Sequence, residues 1–353
     1  MRRHAPLVVV CGALALFAST APGRQNGSAA AANAQAQVAD NTIHLDVVAE
    51  TKSGPAISGL QPPDFTVLDN SAPQPLTAFS PRSGRDGHVE VVLVLDDVNA
   101  EITVVEEARR QVDKFLRLEA GALAHPMAIA ILTDKGLEPL GGFSTDGNDL
   151  SARLSKAAIP PRSLGRSSGV QGNAEIFQLS IRAFEQIAMG EGTRPGRKML
   201  LWISPGWPML VGPHVDLNTK QQQEIFNEIV RLNTEMLRAR LTLYSLDPSG
   251  LNDVGLHSTY YKSFLKAVSK PTEVNAADLA LQVLAVQSGG LALTTENDLA
   301  SQIRRCLTDA DNYYELAIDP KPAAQPNEYH SLVVKIAKAD ATGRTRMGYY
   351  TQP

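Results

Sequence analysis

Runs of apolar residues divide the chain into a strand-rich beginning, a long alternating middle and a strand-rich end. In the middle, Val89–Leu95 is almost continuously apolar, which is typical of a strand buried on both faces of a parallel sheet. Glu101–Leu118 then carries an apolar stripe at helical spacing, with charged residues facing away. Further strands are predicted at Met127–Leu132, Lys198–Ser204, Leu241–Leu246 and Leu291–Thr294, and helices at Ala174–Met189, from Asn218, at Asp278–Gln287 and at Leu299–Ala310. The alternation predicts an α/β fold with a doubly wound, Rossmann-like, mostly parallel sheet.

The two ends of the chain have a different pattern, with a period of two residues. Ile43, Leu45 and Val47 alternate with polar residues, as in a half-buried strand. Short strands separated by turn residues are also predicted at Asp64–Asn70, Leu76–Phe79, Tyr313–Ile318, Ser331–Ala337 and Arg344–Tyr350. We therefore predict an N-terminal β module at residues 40–82, the α/β domain at residues 88–310, and C-terminal strands at residues 311–353. The two terminal segments are expected to pack together as a β-sandwich beside the α/β domain.

The N-terminus has the features of an export signal. Arg2 and Arg3 precede the apolar run Leu7–Ala18, whose 12 residues are too few to span a bilayer as a helix, which takes ~20. We predict a signal peptide and leader at residues 1–36, with cleavage after Ala34 or Ala36. An uncleaved anchor is the alternative. The mature protein is then expected in the periplasm, on the cell surface or outside the cell, with no stable membrane span.

Charge and cysteine content exclude several classes of function. The chain has 33 Lys and Arg against 37 Asp and Glu, a net charge of -4, whereas nucleic-acid binding needs a concentrated basic face. Its two cysteines, Cys11 and Cys306, exclude a disulfide scaffold and an all-cysteine metal site. We therefore expect a protein partner and no nucleic acid.

The end of the first strand of the α/β region carries the polar residues Asp96, Asp97 and Asn99. In doubly wound sheets, ligands bind beyond the carboxyl ends of the strands, so this is a candidate site. Several motifs in this order and spacing resemble a von Willebrand factor type A domain, in the variant carried by exported proteins abundant in acidobacteria. They are Leu60–Asp69, Asp96–Asn99, Gly142–Asp146, Gly196–Gly206, Gln287–Gly290, Tyr313–Tyr314 and Arg344–Tyr350.

This resemblance implies a site where a divalent cation, such as Mg²⁺, recruits a carboxylate of a partner protein. Such sites take Asp-x-Ser-x-Ser after the first strand, a Thr from a second loop and an Asp after a later strand, all of them oxygen ligands. Asp96 matches the first Asp, and Thr145, or Ser144, matches the Thr. Val98 and Ala100 occupy the two serine positions, so the motif is degenerate and no other cofactor is expected. Asp96 and Asn99 could instead cap the first helix.

The resemblance favours a protein–protein interaction or adhesion module rather than an enzyme. The expected binding rim consists of Asp96, Asp97, Asn99, Ser144, Thr145, Asp146 and Trp207, of which Asp96 and Thr145 are the candidate metal ligands. Trp207 follows a strand end, where it could be an exposed contact or part of the core.

Two other functions fit parts of the sequence. Ser263 and Lys266 have the Ser-x-x-Lys spacing that can pair a nucleophile with a base, which would indicate an envelope hydrolase. A purely structural envelope component, which would associate with itself, is the other alternative.

Overall fold

The computed structural model describes residues 42–51, 56–84, 88–158, 169–208, 217–250, 260–294, 298–320 and 323–351. The predicted signal peptide and its cleavage sites lie outside the described residues. The strands are β1 (Ile43–Thr51), β2 (Phe65–Asp69), β3 (Ala72–Gln74), β4 (Ala78–Ser83), β5 (Glu90–Asp96), β6 (Ala122–Thr133), β7 (Gly136–Pro139), β8 (Ser144–Asp146), β9 (Lys198–Ile203), β10 (Leu241–Leu246), β11 (Ala292–Leu293), β12 (Asn312–Ile318), β13 (Tyr329–Ile336), β14 (Ala341–Arg344) and β15 (Gly348–Tyr350). The helices are α1 (Ile102–Leu116), α2 (Gly147–Lys156), α3 (Gly169–Gly192), α4 (Thr219–Arg238), α5 (Leu281–Gln287) and α6 (Leu299–Asp311).

A mostly parallel sheet occupies the middle of the molecule, in the order β11-β10-β9-β5-β6-β7. The strands from β11 to β6 are parallel, whereas β7 and β8 both pair with β6 in the antiparallel direction. Because β5 lies between β6 and β9, the order of strands reverses direction at its carboxyl end, where Asp96 lies. This is the position at which open α/β sheets usually bind ligands.

Helices cover both faces of this sheet, which explains the continuous apolar runs of its strands. Val92 and Val94 pack in one cluster with residues of α3, α4 and α5. Val91 and Leu93 point the other way and pack with residues of α1, α2 and α6. The predicted α/β architecture with a mostly parallel sheet is therefore confirmed.

Two antiparallel sheets of four strands are built from both ends of the chain. One has the order β14-β1-β12-β4 and the other β15-β13-β2-β3. Their inward residues, including Leu45, Val67, Leu316 and Val334, form one separate apolar cluster. The alternation of buried and exposed residues along β2 and β13 places Phe65, Val67, Leu332 and Val334 in this cluster.

Some elements differ from the sequence prediction. Helix α2 was not predicted, and it forms because Asp146 caps its first turn while Leu150 and Leu154 bury the same face. The segment Arg344–Tyr350, predicted as one strand, is divided between β14 and β15, which lie in different sheets. No helix in the described residues is long and apolar enough to cross a membrane.

The edge strands of all three sheets share a pattern. One edge of each sheet contains a proline, namely Pro73 in β3, Pro81 in β4 and Pro139 in β7. The opposite edges are short, with four residues in β14, two in β11 and three in β15.

Candidate functional site

The carboxylate of Asp96 is buried and fully hydrogen-bonded at the carboxyl end of β5. Its Oδ1 accepts hydrogen bonds from the backbone N–H groups of Val98 at 3.1 Å and Asn99 at 2.9 Å. Its Oδ2 accepts from the Asn99 amide at 2.8 Å and from the Trp202 indole at 2.9 Å. An ionised carboxylate has about four lone-pair sites, two on each oxygen. All of them are therefore used within the protein.

Asn99 extends this network to the helix that covers the sheet. Its side chain is completely buried, and its Nδ2 also donates to the Ser180 hydroxyl at 2.9 Å. Ser180 lies on α3 and donates in turn to the Ile176 carbonyl at 3.0 Å. We call Asp96, Val98, Asn99, Ser180 and Trp202 the Asp96 cluster. It joins β5, β9 and α3 through buried hydrogen bonds.

Asp97 is also held within the protein. Its carboxylate accepts a hydrogen bond from Arg109 on α1 at 2.7 Å, and both side chains are largely buried. Arg109 donates in addition to the Ala157 carbonyl at 3.0 Å. The predicted binding residues Asp96, Asp97 and Asn99 therefore lie together, but as buried structural groups rather than as an exposed rim.

Trp207 belongs to the core rather than to the exposed rim. Only 6% of it is exposed, and its ring packs edge-on against Phe177, Phe184 and Trp202. The apolar residues of α3 cover the end of β9, so an aromatic residue directly after this strand is enclosed. Its indole nitrogen has no hydrogen-bond partner among the described residues.

Ser144, Thr145 and Asp146 lie far from Asp96, which corrects the predicted rim. Ser144 pairs with Met127 on β6, whereas Asp96 pairs with Leu132, five residues further along the same strand. That separation is roughly 16 Å along the strand. The hairpin from β6 into β7 reverses the chain, so the following strand β8 lies at the amino end of the sheet. There Asp146 caps α2, and the backbone N–H of Asp146 donates a hydrogen bond to the Ser144 hydroxyl.

The residues present do not fit the divalent cation that the motif resemblance implies. Asp96 has its oxygens occupied, Val98 and Ala100 offer no side-chain ligand, and Thr145 lies at the opposite end of the sheet. Among the described residues, no group of three or more His, Cys, Asp or Glu side chains is arranged to hold a metal ion.

The Ser-x-x-Lys pair is not assembled as a catalytic dyad. Ser263 and Lys266 are both exposed, in and just after a short 3-10 turn at Tyr261–Phe264. No hydrogen bond joins these two described side chains, and neither lines the groove described next.

A groove of about 1100 Å³ lies at the amino end of the parallel sheet, where β5, β6 and β9 begin beside β4 and β12. We call it the amino-end groove. Part of its wall is the start of β6, from Ala122 to Pro126. Pairing of β6 with β5 begins only at Met127, and its pairing with β8 is irregular between Ala122 and Met127. The extended backbone of Leu123–Pro126 thus has no register partner among the described strands.

Ion pairs of arginine and glutamate line the same groove. Arg194 binds Glu90 through both its Nε and its Nη2, and Arg82 binds Glu315 at 2.7 Å. In each pair the arginine side chain is the more exposed member, with 44% against 19% for Arg194 and 35% against 15% for Arg82. The groove therefore presents guanidinium groups to solvent more than carboxylates.

Arg240 also lines the groove and holds Glu315, the partner of Arg82, in place. Burial would raise the pKa of Glu315, but hydrogen bonds and charges from Arg240 and Arg82 lower it. Arg240 also binds Asp46 at 2.5 Å, so this arginine joins β1 and β12.

The sequence analysis did not predict this groove, although Thr145 of the predicted rim is one of its lining residues. Its strongest signal in the sequence is Pro126, which interrupts an otherwise regular strand pattern, together with the Pro195–Gly196 turn before β9.

Comparisons with known proteins show distant likeness only. No family model matches the chain, and no curated protein matches it. Among solved structures, it is similar to proximal thread matrix protein 1 from the mussel byssus, with 10% identity, 65% of this chain and 49% of that chain covered, and a TM-score of 0.32. It is similar to the PilB minor pilin from Streptococcus sanguinis, with 10% identity, coverage of 67% and 63%, and a TM-score of 0.37.

The SpRpn10 VWA domain is a third similar structure, with 10% identity, coverage of 67% and 99%, and a TM-score of 0.28. The chain spans about half the length of the first of these structures and less than two thirds of the second.

Proposed function

We propose that this chain is an exported, non-enzymatic protein-binding module of the von Willebrand factor A type. It binds an extended segment of a partner protein in the amino-end groove and does so without a metal ion. The observation that carries the proposal is the stretch Leu123–Pro126, an extended backbone without a register partner that lines a groove of about 1100 Å³. Extended peptides bind proteins by supplying the missing strand beside such a backbone.

The electrostatics of the groove suggest the chemistry of that segment. Arg82 and Arg194 are the more exposed members of their ion pairs, so acidic side chains on the bound segment would meet positive charge. Charges at the rim of an interface mainly affect the association rate and its salt dependence. We therefore expect the interaction to weaken as the salt concentration rises.

Export is the second part of the proposal, and its support is the basic start followed by the short apolar run Leu7–Ala18. Mass spectrometry of the protein recovered from the source cells tests it directly. A mature N-terminus after Ala34 or Ala36 would agree with the proposal, whereas an intact Met1 would contradict it.

Site-specific photocrosslinking in the source cells tests the groove. A photoreactive amino acid at Ala122 or Ala124, both exposed in the groove, should give one discrete crosslinked polypeptide. The same group at the exposed Gln178 on α3 is the control and should not capture that polypeptide. Arg194→Gln should lower the yield at Ala124, whereas Arg304→Gln on the exposed face of α6 should leave it unchanged.

The outcomes separate the alternatives. The same polypeptides captured at all three positions, or none at the two groove positions, would contradict binding in the groove. A crosslink to a second copy of this chain would favour the structural envelope component instead.

A further inference from the structure

The Asp96 cluster lies where a sheet of this topology usually binds its ligand, yet the Asp96 carboxylate accepts hydrogen bonds only from groups of the same chain. The Oδ1 of Asn99 is the buried side-chain atom of the cluster that has no hydrogen-bond partner among the described residues. Asp96 is 3% exposed and Asn99 is completely buried. Buried polar groups are stable only when they have hydrogen-bond partners, and Asp96 has four. Two of the donors are backbone groups at the entry to α1, and the other two are the side chains of Asn99 and Trp202.

We propose that the Trp202 indole and the Asn99 amide replace a divalent cation at Asp96 and make this end of the sheet a closed, metal-free structural clasp. The proposal is independent of the amino-end groove and of what binds there. It gives Trp202 a specific role, which is to donate a hydrogen bond from β9 to a buried carboxylate at the end of the adjacent strand β5.

A cation could reach Asp96 only by displacing these donors. Mg²⁺ and Ca²⁺ bind carboxylate oxygens through their lone pairs, at about 2.0–2.6 Å. The lone pairs of Oδ2 already accept from Asn99 and Trp202 at 2.8 and 2.9 Å. Trp202 is fully buried, and its ring is held between Phe184 and Trp207, with ring centroids at 6.5 and 5.4 Å. Rotation of the indole away from Asp96 would therefore require these neighbouring rings to move.

The neighbouring Trp207 provides a matched control. Both tryptophans are buried in the same cluster, and they are the two tryptophans of the chain. The Trp202 indole donates to Asp96, whereas the Trp207 indole has no partner among the described residues. At both positions the Trp→Phe substitution removes the pyrrole part of the indole. At Trp202 it also removes a hydrogen bond, whereas at Trp207 it does not.

Nuclear magnetic resonance of the ¹⁵N-labelled mature protein tests the clasp through its two indole N–H signals, which the two Trp→Phe variants assign. We expect the Trp202 proton to resonate downfield of the Trp207 proton, because its hydrogen bond is to a charged acceptor. Titration with paramagnetic Mn²⁺ should leave both signals equally sharp. Broadening of the two signals by Mn²⁺ that is lost in Asp96→Asn would place a cation at Asp96 and overturn the proposal, since the two rings are only 5.4 Å apart.

Thermal unfolding supplies the second measurement. Trp202→Phe should lower Tm by roughly 3 °C more than Trp207→Phe does, since it also removes a charge-assisted hydrogen bond. Equal losses would mean that the indole does not stabilise Asp96, which also overturns the proposal. In wild-type protein, excess Mg²⁺, Mn²⁺ or Ca²⁺ should give the same Tm as EDTA. A cation bound to the native state would instead raise Tm by roughly 4 °C at about 100 times its dissociation constant. Such a rise, lost in Asp96→Asn, would contradict the clasp.

Discussion

The two ends of the parallel sheet differ in what their polar groups contact. At the carboxyl end, Asp96, Asp97 and Asn99 are buried and bind other parts of the same chain. At the amino end, the backbone of Leu123–Pro126 and the partly exposed Arg82 and Arg194 line an open groove. A carboxylate at a strand end therefore indicates a binding site only when its oxygens remain available, which depends on residues distant in the sequence.

The largest expected effect is the difference in the free energy of unfolding between substitutions at the carboxyl end and at the amino end of the parallel sheet. Asp96→Ala should lower the free energy of unfolding by about 4 kcal/mol, because it leaves several buried donors without an acceptor. Thr145→Ala, at an exposed position in the groove, should change it by less than about 0.5 kcal/mol. Urea unfolding of both variants measures the contrast. Similar values for the two would mean that the ends of the sheet do not differ as we infer.

A second buried carboxylate sharpens the comparison, since it has fewer donors than Asp96. Asp278 lies in the turn Ala276–Leu279 and accepts one backbone hydrogen bond, from Asn275 at 2.7 Å. Burial raises its pKa to about 6, although that hydrogen bond lowers it.

The folded protein therefore binds this proton more tightly than the unfolded chain does. The contribution of Asp278 to the stability of the folded protein is greatest below the pKa that this residue has in the unfolded chain. It is lost as the pH rises toward 6. Asp278→Asn keeps an acceptor for Asn275 without the charge. We expect the variant to be more stable than wild type by about 3 kcal/mol at pH 8 and nearly equal at pH 4. Urea unfolding at the two pH values tests this, and an equal difference at both would contradict it.

The smallest effect concerns the backbone that shapes the groove. Gly196 has φ of +85°, and a Cβ there would lie 3.0 Å from the His88 carbonyl oxygen. Gly196→Ala should destabilise the protein by about 2 kcal/mol, through left-handed backbone strain and this contact. Gly190→Ala is the control, because Gly190 lies in α3 with open space around it and should gain about 0.5–1 kcal/mol. Thermal or urea unfolding gives both values, and the two substitutions should have opposite signs.

More of the fold than of the candidate site could be predicted from the sequence. The apolar run of β5 and the apolar stripe of α1 are local patterns. They can be recognised in the sequence because β5 is buried on both faces and α1 on one. The amino-end position of Thr145 could not be predicted, because it follows from a short hairpin at Gly136 whose direction the apolar pattern does not encode.

The contacts of the Asp96 cluster could not be predicted from local patterns either, because they join residues that are far apart in the sequence. Trp202 is 106 residues from Asp96, and its apolar neighbours are those of any buried strand. Its hydrogen bond depends on the register of β9 against β5. The burial of Trp207 likewise depends on where α3 crosses the end of the sheet.

The prolines at the sheet edges bear on how copies of this protein can meet. A proline removes a backbone donor, and a strand of two to four residues offers few, so neither kind of edge supports the continued addition of strands from other copies. The described edges therefore protect the protein against fibrillar aggregation at high local concentration. The stretch Leu123–Pro126 of β6 differs from these edges, because it has no register partner among the described strands and lies in the amino-end groove, where a single extended segment can approach it.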